Sequence, residues 1–264
     1  MLKHVLPIFC LFLIFTSPVL ADEAPKMICY SIQPNEYLND HADDIADIYD
    51  GFYFTIGSWD KGVENVLGID GNAPLDPQWK TSVRKNLALL KKAGVTENLL
   101  AVYFGSNDAW PSPETVLSDE FTQKMTRHFS AIGKAAKELG FCGISIDTEY
   151  PYPRYEVDHE IYTFENYTAE DLMAAAKIKG RATMTALLDN FPQAVIFQLP
   201  GNFLTRPIDR QCITGMLEIM AERDAPGGFH LGSEYTYCMN DPVTDLAAPR
   251  FESASVLLLV NEKT

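Results

Sequence analysis

Phe141-Cys142-Gly143-Ile144-Ser145-Ile146-Asp147-Thr148-Glu149-Tyr150-Pro151 is the stretch whose reading decides the fold. Ile144 and Ile146 alternate with small or polar residues and Pro151 ends the pairing, which is the pattern of a strand. Successive strand side chains point to opposite faces of a sheet. Gly143, Ser145, Asp147 and Glu149 therefore share one face, and Ile144, Ile146 and Thr148 the other. Two carboxylates leave one face at the C-terminal end of a buried strand, the end at which a β/α barrel carries its catalytic groups. A lone Asp there would read as a loop cap. An aligned pair bears desolvation and mutual repulsion, which a purely structural strand has little reason to carry.

Outward from this run, short apolar segments alternate with longer amphipathic ones. Strands are predicted at 27–32, 52–57, 99–105, 143–150, 194–199 and 228–235, and helices at 38–49, 77–93, 119–139, 169–190 and 210–223. Strands separated by helices imply βαβ units and a parallel sheet covered by helices. Ser118 is placed to cap the helix at 119, and Thr168 the helix at 169, where Glu170 and Asp171 follow in the first turn. Gly94 and Gly140 fall where two helices stop before the next strand. The expected fold is an α/β, TIM-type (β/α) barrel, incomplete or irregular at its C-terminus. Six strands are clear where a full barrel has eight. The tail at 251–260, ending in Ser255-Val256-Leu257-Leu258-Leu259-Val260, reads either as a seventh strand or as an apolar helix.

Residues 1–21 read as a signal peptide. Lys3 and His4 precede an apolar run from Val5 to Phe15, and Val19-Leu20-Ala21 offers small residues at a cleavage site. The run is too short to span a bilayer comfortably, so no stable membrane insertion is expected after cleavage. Residues 22–264 then form one barrel-sized domain, secreted or periplasmic. The formal charge of −15 disfavours nucleic acid as a partner, because that binding depends on basic contacts. Cys29, Cys142, Cys212 and Cys238 survive cleavage. Cys212 and Cys238 each follow a predicted strand, which makes them candidates to meet as a disulfide. No Cys/His spacing matches a zinc site, and no metal or cofactor is expected.

At 141–151 the sequence resembles the fourth barrel strand of the chitinase-like family-18 glycoside hydrolases, which reads Phe-Asp-Gly-Ile-Asp-Ile-Asp-Trp-Glu-Tyr-Pro in many members. Phe141, Gly143, Ile144, Ile146, Asp147, Glu149, Tyr150 and Pro151 match, and Cys142, Ser145 and Thr148 depart. The segment is also the fourth predicted strand here. The resemblance implies that Glu149 protonates the glycosidic oxygen, while Asp147 orients an acetamido group of the substrate. Ser145 stands where the family has the inner acid that tunes that Asp.

A second carboxylate, Glu234, ends the last predicted strand, with His230 and Gly232 on its interior face. It suits the partner acid across the pocket, as nucleophile or base. Trp59, Trp110, Tyr150, Tyr152, Tyr235 and Tyr237 follow strand ends, where aromatic faces stack on sugar rings, and Gln198 shares a face with Ile196 and is expected to project inward among the acids. The leading expectation is a secreted glycoside hydrolase with a carbohydrate substrate and Glu149 as general acid. Two alternatives stand beside it: a catalytically inactive carbohydrate-binding barrel, and a divalent-metal phosphoesterase using Asp147, Glu149, His230 and Glu234.

Overall fold

The computed structural model describes residues 26–55, 75–103, 118–147, 156–157, 160–161, 166–199 and 207–231. In chain order the elements are β1 (Ile28–Ile32), α1 (Glu36–Asp40), α2 (Ala42–Ala46), β2 (Gly51–Thr55), α3 (Pro77–Ala93), β3 (Leu99–Tyr103), α4 (Asp119–Leu139), β4 (Gly143–Asp147), β5 (Glu156–Val157), β6 (Glu160–Ile161), α5 (Ala169–Asn190), β7 (Val195–Leu199), α6 (Pro207–Glu222) and β8 (Phe229–Leu231). The predicted leader and the tail at 251–260 lie outside the described residues. Among the described residues no helix is long and apolar enough to cross a membrane.

Among the described residues six strands form one parallel sheet in the order β1-β2-β3-β4-β7-β8, and β5 and β6 form a separate antiparallel pair. Every crossover in the main sheet thus steps in the same direction. Because such crossovers are right-handed, all the helices fall on one face. A doubly wound sheet would reverse direction at a switch point and carry helices on both. The result is an open part of a singly wound β/α barrel.

The two faces are distinct. Phe52, Phe54, Leu100, Ile144, Ile146 and Ile196 join Val83, Leu87, Leu90, Phe129, Ile132, Met184, Leu187 and Met216 from the helices in the main core. Tyr53, Leu99 and Ala101 form a separate cluster with Val195 and Phe197 on the other face. That second face is concave. The rings of Tyr53 and Phe197 lie 5.4 Å apart although β2 and β7 are three places apart in the sheet, about 14 Å if it were flat. Curling brings the rings together, and small Ala101, Gly143 and Ser145 between them leave the room.

Local chemistry explains the helix bounds. Asp76 caps α3 by accepting from the Gln78 amide at 2.9 Å, with Pro77 at the first position. Ser118 accepts from the Phe121 amide, and Thr168 and Asp171 form a reciprocal capping box at the start of α5. Gly94 (φ 100°) and Gly140 (φ 93°) close α3 and α4 in the left-handed conformation that a side chain disfavours. The predicted helix at 38–49 is instead two short helices broken at His41 (φ −123°, ψ 22°). Its entry is held from outside. Fully buried Asn86 on α3 accepts from the Asn35 amide and donates to the Asn35 carbonyl and the Asn39 side chain.

Candidate active site

β4 is the fourth strand of the sheet, and its register fixes what lies level with the motif. Gly143 pairs with Leu99 and Val195, Ser145 with Ala101 and Phe197, and Asp147 with Tyr103 and Leu199. Asp147 is the last residue of β4, two positions beyond Ser145 along the strand. Ser145 is fully buried, and its hydroxyl has no hydrogen-bond partner among the described residues. A buried hydroxyl left unmatched is costly, and such groups mark places where water or ligand belongs.

Around this row the concave face is aromatic and polar by turns. Tyr30 on β1 meets Tyr53 edge-on at 5.7 Å, and Tyr53 continues to Phe197, so three rings line the hollow. Burial pushes the Tyr53 phenol well above its usual range. At the strand ends Gln33 donates to the Thr55 hydroxyl, which donates to the Ile32 carbonyl at 3.3 Å. His230 pairs in register with Phe197 and is exposed, so it stands on the concave side as its strand parity predicts.

Gln198 is placed elsewhere. It shares its face with Ile196 and Ile146, as parity requires, but that face is the one packed against the helices. Gln198 is only 2% exposed and lies behind the sheet from the row of Ser145. One strand's alternation shows which residues go together; packing decides which group looks into the barrel. Trp59, Trp110, Glu149, Tyr150, Tyr152, Glu234, Tyr235 and Tyr237 lie outside the described residues.

Sequence reasoning missed Tyr30, Tyr53 and Phe197. The signal was present in part, since Tyr53 and Thr55 alternate with Phe52 and Phe54, but all five residues of β2 are buried, so exposure does not mark one face as the concave one. The thiols of Cys29 and Cys142 are free, and Cys238, the expected partner of Cys212, lies outside the described residues. Cys142 is pushed up to about 12 by burial and by nearby Glu97, so it behaves as a small inert core group.

No family model and no curated protein matches the chain. Among solved structures it is similar to a class V chitinase mutant from Cycas revoluta in complex with (GlcNAc)3, at 12% identity and a TM-score of 0.40, covering 66% of this chain and 46% of that one. A chitinase from Bacteroides thetaiotaomicron is similar at 13% identity and a TM-score of 0.39, again over 66% and 46%. A GH10 endoxylanase from a sugarcane soil metagenome is similar at 14% identity and a TM-score of 0.46, covering 87% of this chain and 64% of that one. The chain spans less than half the length of the two chitinases.

Proposed function

We propose that the protein is an exported glycoside hydrolase in which Glu149 protonates the leaving oxygen and Asp147 modulates it. One observation carries this reading. Residues Gly143–Asp147 of the stretch resembling the family-18 motif form the fourth strand of a parallel sheet, with Asp147 its last described residue, which supports the reading. General acid catalysis needs a carboxyl that keeps its proton near neutral pH, and a second carboxylate two residues away raises a proton affinity in that direction. The rings of Tyr30, Tyr53 and Phe197 supply an apolar floor of the kind that sugar C–H faces stack on. Glu234 is the proposed partner acid. A carboxyl separation of about 5–5.5 Å from Glu149 would make it a nucleophile, and about 6.5–9.5 Å a water-activating base. Export follows from residues 1–21, removed after Ala21.

One feature favours a second reading, a barrel that binds carbohydrate without cleaving it. Buried Ser145 stands two residues before Asp147, at the position where the family motif has an acid.

Mature protein and its Glu149→Gln variant, incubated with chito- and xylo-oligosaccharides and followed by product chromatography and calorimetry, separate the two. The hydrolase reading expects cleavage by wild type and a loss of at least about 100-fold in the variant, with binding retained. Binding without cleavage by wild type establishes the second reading. Cleavage untouched by Glu149→Gln removes Glu149 from the chemistry.

A further inference from the structure

Tyr37, on α1, is 65% exposed, the most exposed large apolar or aromatic side chain among the described residues. Its ring is nevertheless held in place. His41, at the break between α1 and α2, lays its imidazole against the phenol ring, with centroids 4.2 Å apart and planes 31° from parallel. Asp44 in turn holds His41, whose Nδ1 lies 3.3 Å from a carboxylate oxygen. The helix that carries Tyr37 is only five residues long, too short to persist alone. It is fixed by buried Leu38 and by Asn86 of α3, whose amide donates to the Asn39 side chain at 2.8 Å. Lys85 of α3 adds an ion pair to Glu36 at 2.8 Å. Backed by one ring and bare on its other face, Tyr37 is a preformed platform, which a ligand can use with little further ordering.

The surroundings select the occupant. Exposed Glu36, Asp40 and Asp44 flank the ring along α1 and α2. They repel anionic polymers and accept hydrogen bonds from hydroxyl groups, while the bare aromatic face suits the C–H face of a neutral sugar. Position agrees with this chemistry. α1 follows the C-terminal end of β1, and in a parallel sheet that is the end at which β4 stops at Asp147. The platform therefore stands at the same end of the sheet as the proposed chemistry, on the helix side rather than in the hollow.

We propose that Tyr37, backed by His41, is a second carbohydrate-binding site, which stacks a ring of a neutral polysaccharide; the proposal rests on the glycan reading above. A polymer that engages platform and hollow together gains apparent affinity over one held in the hollow alone.

The test measures depletion of the mature protein from solution by insoluble chitin and by insoluble xylan, for wild type, Tyr37→Ala and Tyr37→Phe. Tyr37→Ala is expected to weaken adsorption to the bound polymer about tenfold, and Tyr37→Phe to retain wild-type adsorption, with circular dichroism native in both. Wild-type adsorption in Tyr37→Ala overturns the platform and leaves the glycan reading standing. An equal loss in Tyr37→Ala and Tyr37→Phe also overturns it, because a stacking ring survives in the second. Failure of wild type to adsorb to either polymer overturns the platform together with the reading on which it rests.

Discussion

Lys179 is where one residue's chemistry has the largest thermodynamic consequence. Its amine titrates near 8 in the folded protein, chiefly because burial disfavours the cation, against 10.5 when free. Between those values the unfolded chain binds the extra proton, so this residue's contribution to stability rises with pH across the window from about 8 to 10.5. Raised thiols and phenols work the other way: Cys142 loses its proton first in the unfolded chain, so its contribution falls as pH rises above about 9. Comparing wild type with Lys179→Met cancels those terms. Urea melts should show the Met variant more stable at pH 7.5, by on the order of 1–3 kcal/mol, and the gap closing by pH 10.5. A gap that is constant with pH would mean that the amine is not desolvated in the folded state.

At the scale of elements, β4 and its partner β7 set the position of the motif. Gly143 has no space for a side chain, since a Cβ would sit 1.9 Å from the Val195 carbonyl oxygen. Gly143→Ala should therefore push β4 from β7 and cost at least about 3 kcal/mol, seen as a lowered denaturant midpoint. A variant as stable as wild type would show that β4 and β7 are not this closely apposed. Elements were legible from sequence wherever their ends are written in local chemistry. Capping at Asp76, Ser118 and Thr168 and the glycines at 94 and 140 define α3, α4 and α5 with the bounds that sequence reading assigns. The helix at 38–49 was misread because its break at His41 carries no local breaker, and Asn86, a residue from α3, anchors its entry.

For the whole molecule, the strictly sequential strand order makes the centre of the sheet the most protected part. β3, β4 and β7 are each paired on both sides and carry fully buried Leu100, Ile144, Ile146 and Ile196 against the helices. β8 is three residues long, partly exposed, and bonded on one side among the described strands. Hydrogen exchange followed by mass spectrometry should find the slowest amides in β3, β4 and β7, with β8 exchanging at least about tenfold faster. Equal protection across the six strands would show that β8 is covered as fully as the centre.

What the sequence determined by itself was everything that depends on near neighbours along the chain: the alternation of strands and helices, the caps, the parity that groups Gly143, Ser145 and Asp147, and from these a singly wound β/α barrel. Tertiary structure decided the sign of that parity. It turned Ser145 and Phe197 into the hollow, put Gln198 against the helices, brought Tyr53 to Phe197, and buried Lys179 beside Phe121. Alternation has period two whichever way a strand faces. Only the packing of distant helices on one side of the sheet makes one row core and the other row the concave site.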